Sequence, residues 1–294
     1  MQLLDGKATS QKIKNDIKKN VAQLMLQNQR APHLAAILVG SNGASQTYVG
    51  SKVRSCEEIG FQSTLIQLDE NIQEEELIAV VSQLNADEGI DGILVQLPLP
   101  KHIDEHKIIN AIDPQKDVDG FHPVNTGRMM LGEEDAFIPA TPFGIMLLLE
   151  HYQIPTKGKH VVVIGRSNIV GRPISILLSQ QRPFGDATVT ICHSKTTNLK
   201  EITKQADILI SAIGVPGAVS VDMIKDGVVV VDVGIVRVKD ESTTTGYKIK
   251  GDVDFESVAP KCSFITPVPG GVGPMTIAAL LQNTYKAYTL RASK

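Results

Sequence analysis

The stretch Val161–Pro173, "VVVIGRSNIVGRP", decides the fold, because an apolar run that reads as a buried parallel strand passes through a glycine turn into a helix. A dinucleotide fingerprint asks for G-x-G-x-x-G in such a turn. Gly165 and Gly171 frame it here, while Ser167 and Val170 stand where the remaining glycines are expected. The amides and dipole at a helix start draw an anion, and Arg166 adds a positive charge and Ser167 a hydroxyl donor. Taken alone, the turn fits an ordinary strand, turn and helix with a surface arginine equally well. The end of the next strand says more. An NAD-selective site places a carboxylate there for the ribose 2'-hydroxyl, whereas this chain has "HSKT", His193–Thr196, with hydroxyls and a lysine. A 2'-phosphate suits those groups, so NADP is the expected cofactor.

Outward from this stretch, short Val/Ile/Leu runs alternate with amphipathic segments, the pattern of parallel strands joined by crossover helices. The fold class is α/β. After Val161 further strands are expected at "ATVTIC", "DILISAIG", "VVVVDVG" and "SFITPV", apolar on both faces as in a doubly wound sheet. Before it, a helix behind a Thr9/Ser10 cap leads into a β-α-β-α-β series with strands at "LAAILVG", "STLIQL" and "GILVQL". With 294 residues, two domains are expected.

The composition is 42% hydrophobic and 21% charged with a net charge of -3, and the sequence pI is about 6.2. This argues against a nucleic-acid or membrane-surface role. Cys56, Cys192 and Cys262 are isolated and odd in number, which leaves no disulfide framework or C-x-x-C site and favours a reducing compartment. The first residues carry no signal-peptide pattern, so a cytoplasmic location is expected.

Four further stretches carry chemistry. In "SQTYVGSKVRSC", Val49, Val53 and Cys56 read as the buried stripe of a helix, with Tyr48 and Lys52 at i and i+4 on the face beside it. Lys52 is a solvated lysine, or, if desolvated at the edge of a cleft, a base. "VQLPLP" sets Gln96 at a strand's carboxyl end before two prolines. "KDVDG" places Asp117 and Asp119 on a loop, where a carboxylate can hold a planar N-C-N donor group or make an Asx turn with Gly120. A metal site is the weaker alternative, for want of a third ligand. "TPVPGGVGPMT", Thr266–Thr276, suits a rigid wall that lets backbone approach a ligand.

Taken in order, "YVGSK", "VQLPLP", "KDVDGFHPVN", "GRSNIVGRP" and "TPVPGGVGPMT" resemble the bifunctional methylenetetrahydrofolate dehydrogenase/cyclohydrolase family, whose glycine turn also lacks the second fingerprint glycine. The resemblance implies a three-layer α/β catalytic, folate-binding domain over residues 1–140, completed by a C-terminal helix over 274–294. It implies a Rossmann-like NADP domain over 141–273, a cleft between the two, and a homodimer. It further implies oxidation of 5,10-methylenetetrahydrofolate with NADP and hydrolysis of the methenyl product to 10-formyltetrahydrofolate. Carried onto matching positions, Lys52 is the catalytic lysine, Tyr48 the tyrosine beside the folate, Gln96 the residue orienting the lysine and Asp119 the carboxylate on the pterin. Val95 and Leu97 flank Gln96 in the substrate site, and Pro269, Gly270, Gly271, Val272 and Gly273 line it. Gly165, Arg166 and Ser167 hold the cofactor phosphates, with Ser194 near the 2'-phosphate and Ile235 near the adenine or nicotinamide end. Ala140 departs from the family, replacing a common cysteine.

Overall fold

The apolar runs form two parallel sheets in the computed structural model, which describes residues 1–243 and 246–292. The chain opens with β1 (Gln2–Leu3), α1 (Gly6–Leu26), β2 (His33–Val39), α2 (Gly43–Ile59), β3 (Gln62–Leu68), α3 (Glu74–Ala86) and β4 (Gly92–Val95). Two short helices follow, α4 (Glu105–Ala111) and α5 (Pro123–Leu131), and then α6 (Ala140–His151). The second series is β5 (His160–Ile164), α7 (Gly171–Ser179), β6 (Thr188–Cys192), α8 (Leu199–Thr203), β7 (Ile208–Ser211) and β8 (Val229–Asp232). A hairpin of β9 (Val236–Lys239) and β10 (Tyr247–Lys250), the one-turn α9 (Phe255–Val258), β11 (Phe264–Ile265) and α10 (Val272–Ala292) complete it.

Two compact units result. One joins Gln11–Ala140 to Ile277–Lys294; the other joins Met1–Ser10 to Thr141–Thr276. In the first, the order is β3-β2-β4, all parallel, with β2 central and buried from Leu34 to Val39 as its unbroken apolar run requires. Beside β4 runs the "KDVDG" segment, where Ile93 donates its amide to the Lys116 carbonyl at 2.8 Å and bridges Asp117. The buried Lys116 ammonium donates to the carbonyls of Leu84, Asn85 and Asp87, which closes the carboxyl end of α3. From α10, the buried Asn283 amide donates to the carbonyls of Val118 and Ile138 at 2.8 and 2.9 Å. The last helix thus holds the aspartate loop of this unit.

The second unit is a six-stranded parallel sheet in the order β1-β11-β8-β7-β5-β6. The chain leaves β5 for β6 on one side and returns to β7 on the other, so β5 marks a topological switch point. Three expectations are corrected. The first ten residues belong here, because β1 pairs with β11 and the Asp5 amide donates to the Tyr152 hydroxyl at 2.9 Å. Thr9 and Ser10 lie inside α1, and Asp5 supplies the cap by accepting the Ala8 amide at 2.9 Å. The β6 strand is apolar but not covered on both faces, since it is the sheet edge and leaves Ile191 42% exposed.

Candidate active site

On α2 the buried residues include Ser45, Val49, Lys52, Cys56 and Ile59, a 4-3-4-3 series that puts the lysine in the stripe itself, with Ser55 buried beside Cys56. Val53, expected there, is half-buried, whereas Lys52 is only 4% exposed. Lys52 is therefore not a solvated side chain. Its Nζ donates to Gln96 Oε1 at 3.2 Å and lies 4.6 Å from the centroid of the Tyr48 ring, one turn earlier. Gln96 follows directly on β4. Its amide donates to the Ile37 carbonyl, and its Nε2 donates to the Leu97 carbonyl at 2.6 Å. With Nε2 committed there, the side-chain oxygen is the atom left facing the lysine. Val95, buried, and Leu97, half-buried, flank it as expected.

Burial lowers the Lys52 pKa, and the charge of nearby Asp119 pulls it back upward. A charged ammonium has three protons to place, and a single side-chain oxygen receives it here, so the neutral amine gains relative to the cation. In the other direction, burial pushes the half-buried Asp119 carboxyl up to about 6, opposed by Lys52 and assisted by Asp117.

The two aspartates of "KDVDG" have parted roles. Asp117 is fully buried and accepts the amides of Phe121 and His122 and the side-chain amide of Asn125, so it builds the turn into α5. Gly120 adopts φ +71, and a Cβ there would stand 2.7 Å from the Phe137 carbonyl oxygen. Asp119, between them, accepts no hydrogen bond from the described residues. The carboxylate left for a ligand is Asp119.

In the six-stranded unit, Gly165 and Gly171 are demanded by close approach. A Cβ on Gly165, at φ +128, would meet the Ala212 carbonyl oxygen at 2.4 Å, and one on Gly171 would meet the Gly165 oxygen at 2.2 Å. Ser167 Oγ accepts the amides of Val170 and Gly171 at 3.1 and 3.3 Å, so the residue in the missing glycine's place caps α7 and keeps its proton to donate. Arg166 and Ser194 are exposed. Of "HSKT", Thr196 is committed to the turn, its hydroxyl accepting the His193 amide at 2.9 Å.

Ile235 and the Pro/Gly wall come together in one pocket of about 150 Å³, lined by Asp232, Ile235, Ile249 and residues 267–274. Pro269, Gly270, Gly271, Val272 and Gly273 all lie in it. The wall is rigid because a Cβ on Gly271 would stand 2.6 Å from the Pro267 oxygen, and Gly6 packs so closely that its own Cβ would reach 1.8 Å from the Gly271 oxygen. Two larger surface hollows, around 155–157 with 181–186 and around 73–75 with 101–107, contain none of these residues.

Sequence reasoning missed Asp232 and Asp252. Asp232, 4% exposed, accepts the amides of Gly234, Asp252 and Val253, and Asp252, fully buried, accepts those of Ile213 and Val215 and the Ser211 hydroxyl. Burial raises the Asp232 pKa to about 6. The available signal was the glycine close to each, in "DVG" and "GD", since a side chain at Gly234 or Gly251 would strike the opposite carboxylate.

A doubly wound sheet with a glycine-framed turn at its switch point defines the NAD(P)-binding class of α/β proteins. Residues 4–119 match the tetrahydrofolate dehydrogenase/cyclohydrolase catalytic domain, and residues 139–292 match the NAD(P)-binding domain of the same enzymes. The chain belongs to the tetrahydrofolate dehydrogenase/cyclohydrolase family. It is 64% identical over 294 residues to bifunctional protein FolD of Flavobacterium johnsoniae, covering 100% of this chain and 99% of that one. The crystal structure of the bifunctional FolD enzyme of Campylobacter jejuni superposes with a TM-score of 0.93 at 52% identity, covering 99% of each chain. That of Trypanosoma brucei, solved with NADP and an inhibitor, gives 0.94 at 38% identity, covering 99% of this chain and 98% of its own. The activities are accordingly methylenetetrahydrofolate dehydrogenase and methenyltetrahydrofolate cyclohydrolase, as the sequence led us to expect.

The Asp119 environment has a measurable consequence. A carboxyl whose pKa rises on folding from 3.8 to about 6 binds more protons in the native state across that interval, so its contribution to stability is present below 3.8 and lost as pH climbs through 6. Asp119→Asn, which cannot ionise, is expected to melt above the parent at pH 8 and level with it at pH 4 by calorimetry. A variant that melts lower than the parent at pH 8 would contradict the desolvation of this carboxylate.

Proposed function

We propose that Lys52, held by Gln96 in the buried stripe of α2, is the base of the hydrolytic reaction, and that the cofactor of the oxidation is NADP. The observation that carries this reading is the lysine itself: 4% exposed, in contact with one amide oxygen and one ring, its charged form disfavoured by burial.

The site fits a folate pterin. Asp119, which accepts no hydrogen bond from the described residues, offers a carboxylate to the N-C-N donor edge of the ring, and two parallel bonds of that kind fix orientation as well as adding affinity. Tyr48 and Leu97 give the flat ring partly exposed surface to lie against.

The turn fits a dinucleotide: two glycines with no room for a Cβ, the start of α7, and the exposed groups of Arg166 and Ser194. When bound, the nicotinamide ring supplies the hydride acceptor for the methylene carbon of the folate. The chain's part in that step is to hold the folate still through Asp119 and Tyr48. In the second step water adds to the methenyl carbon, and its proton passes to Lys52 Nζ. The pterin-side C–N bond then breaks as the new hydroxyl gives up its proton to become the formyl C=O and that nitrogen takes one, giving 10-formyltetrahydrofolate and leaving the first proton on Lys52. The positive charge of the methenyl substrate acts in the same direction as burial, and both favour the neutral form of Lys52.

We place the enzyme in the cytoplasm as a homodimer. The three cysteines are buried and free, and no helix among the described residues is long and apolar enough to cross a membrane. The outer edge of β3 is open within the three-stranded sheet and carries Leu65 at 45% exposure, a surface that a second copy can cover.

Replacing Lys52 by Met should lower methenyl hydrolysis by about 10²–10⁴-fold, the usual worth of a positioned base. Hydrolysis at the parental rate would remove Lys52 from this role. Initial rates with saturating NADP should exceed those with saturating NAD; the opposite order would reject Arg166 and Ser194 as 2'-phosphate ligands. Light scattering should give twice the chain mass, falling to one chain mass for Leu65→Arg, and a parent at one chain mass would exclude the dimer.

A further inference from the structure

At the carboxyl edge of the six-stranded sheet three large apolar side chains face outward: Ile213 at 37% exposure, Val215 at 52% and Ile235 at 56%. They sit directly after strands whose own residues are fully buried, Ile210 on β7 and Val231 on β8. The two strands end side by side, Ser211 pairing with Asp232 and the Val233 amide donating to the Ser211 carbonyl at 2.8 Å. Apolar surface kept outward by buried polar groups calls for a partner.

What holds these residues outward is Asp252. One carboxylate oxygen accepts the Ser211 hydroxyl at 3.0 Å and the Ile213 amide at 2.8 Å; the other accepts the Val215 amide at 2.9 Å. The same residue's amide is held by Asp232 at 2.9 Å, and Asp232 also takes the Gly234 amide that leads to Ile235. Space is tight, for a Cβ on Gly234 would fall 2.3 Å from Asp252 Oδ1.

We propose that Asp252 is a positioning residue for the nicotinamide cofactor, fixing the loop after β7 so that Ile213 and Val215, with Ile235, form an apolar shelf for the flat rings of the dinucleotide. The assignment rests on the cofactor reading above and adds to it a residue that touches no ligand. A carboxylate is the side chain the place requires, since it must accept from two backbone amides and a hydroxyl without offering a proton of its own. An asparagine there presents an NH₂ group to Ile213 or to Val215 in either orientation, so one backbone donor loses its acceptor.

The test is Asp252→Asn, with NADPH binding followed by calorimetry and methenyl hydrolysis measured without any nicotinamide cofactor. The dissociation constant for NADPH should rise about tenfold or more, equal to about 1.4 kcal/mol, while cofactor-free hydrolysis stays within about twofold of the parent. Unchanged NADPH affinity would overturn the proposal. If the variant does not fold, the decision passes to Val215→Ser, which alters only exposed shelf surface: weaker NADPH binding supports the shelf, and unchanged binding rejects it. A parent that binds NADPH but fails to hydrolyse methenyltetrahydrofolate would reject Lys52 as base and leave Asp252 standing.

Discussion

An ammonium group withdrawn from water is costly unless it is paired, and Lys52 is withdrawn with one amide oxygen and one aromatic face for company. Much of the three-stranded unit serves to keep it so. The helix puts the lysine in its buried stripe, β4 ends where Gln96 can turn its oxygen inward, and the Leu97 carbonyl prevents that amide from reversing. Asp119 tempers the arrangement. It is near enough to stabilise the cation and yet accepts no hydrogen bond from the described residues; burial shifts the two groups in opposite directions, and the charge of each partly restores the other.

Aspartates do two kinds of work in this chain, and burial separates them. Asp117, Asp232 and Asp252 are buried and filled with backbone amides, and each fixes a turn from which another residue faces outward: Asp119 beyond the first, Ile235 beyond the second, Ile213 and Val215 beyond the third. Asp119 accepts no such bonds from the described residues. Ser167 follows the same economy, since the oxygen that replaces a fingerprint glycine stands in for a helix cap while its proton remains to be given.

The fold was legible because parallel strands covered on both faces must be apolar, and the central strands β2, β4, β5, β7 and β8 read so; the edge strands β3 and β6 are only partly buried. Exceptions arose where that reason fails. The two-residue β1 has no periodicity to detect, and the β9–β10 hairpin alternates charged and apolar residues on a ribbon open to solvent. At the site, sequence supplied the residue types but not their burial. Stripes through Val49, Val53 and Cys56 or through Val49, Lys52 and Cys56 satisfy the helical period equally, and the choice was made by Gln96, 44 residues away. Asp117 and Asp119 were likewise equivalent on paper, until the start of α5 claimed one of them. Asp252 was marked only by the glycine before it, because its role is to receive amides from segments about 40 residues distant.

The central claim is that folding holds more of Lys52 in the neutral form that can accept a proton than a lysine in water. With lysine labelled at its Nζ and Cε, nuclear magnetic resonance of the parent and of Lys52→Met assigns the resonance, and a pH titration of the folded protein then follows that one amine. The account predicts a midpoint below the ordinary 10.5, moving lower still in Asp119→Asn, where the supporting negative charge is gone. A midpoint at or above 10.5 in the parent would contradict it.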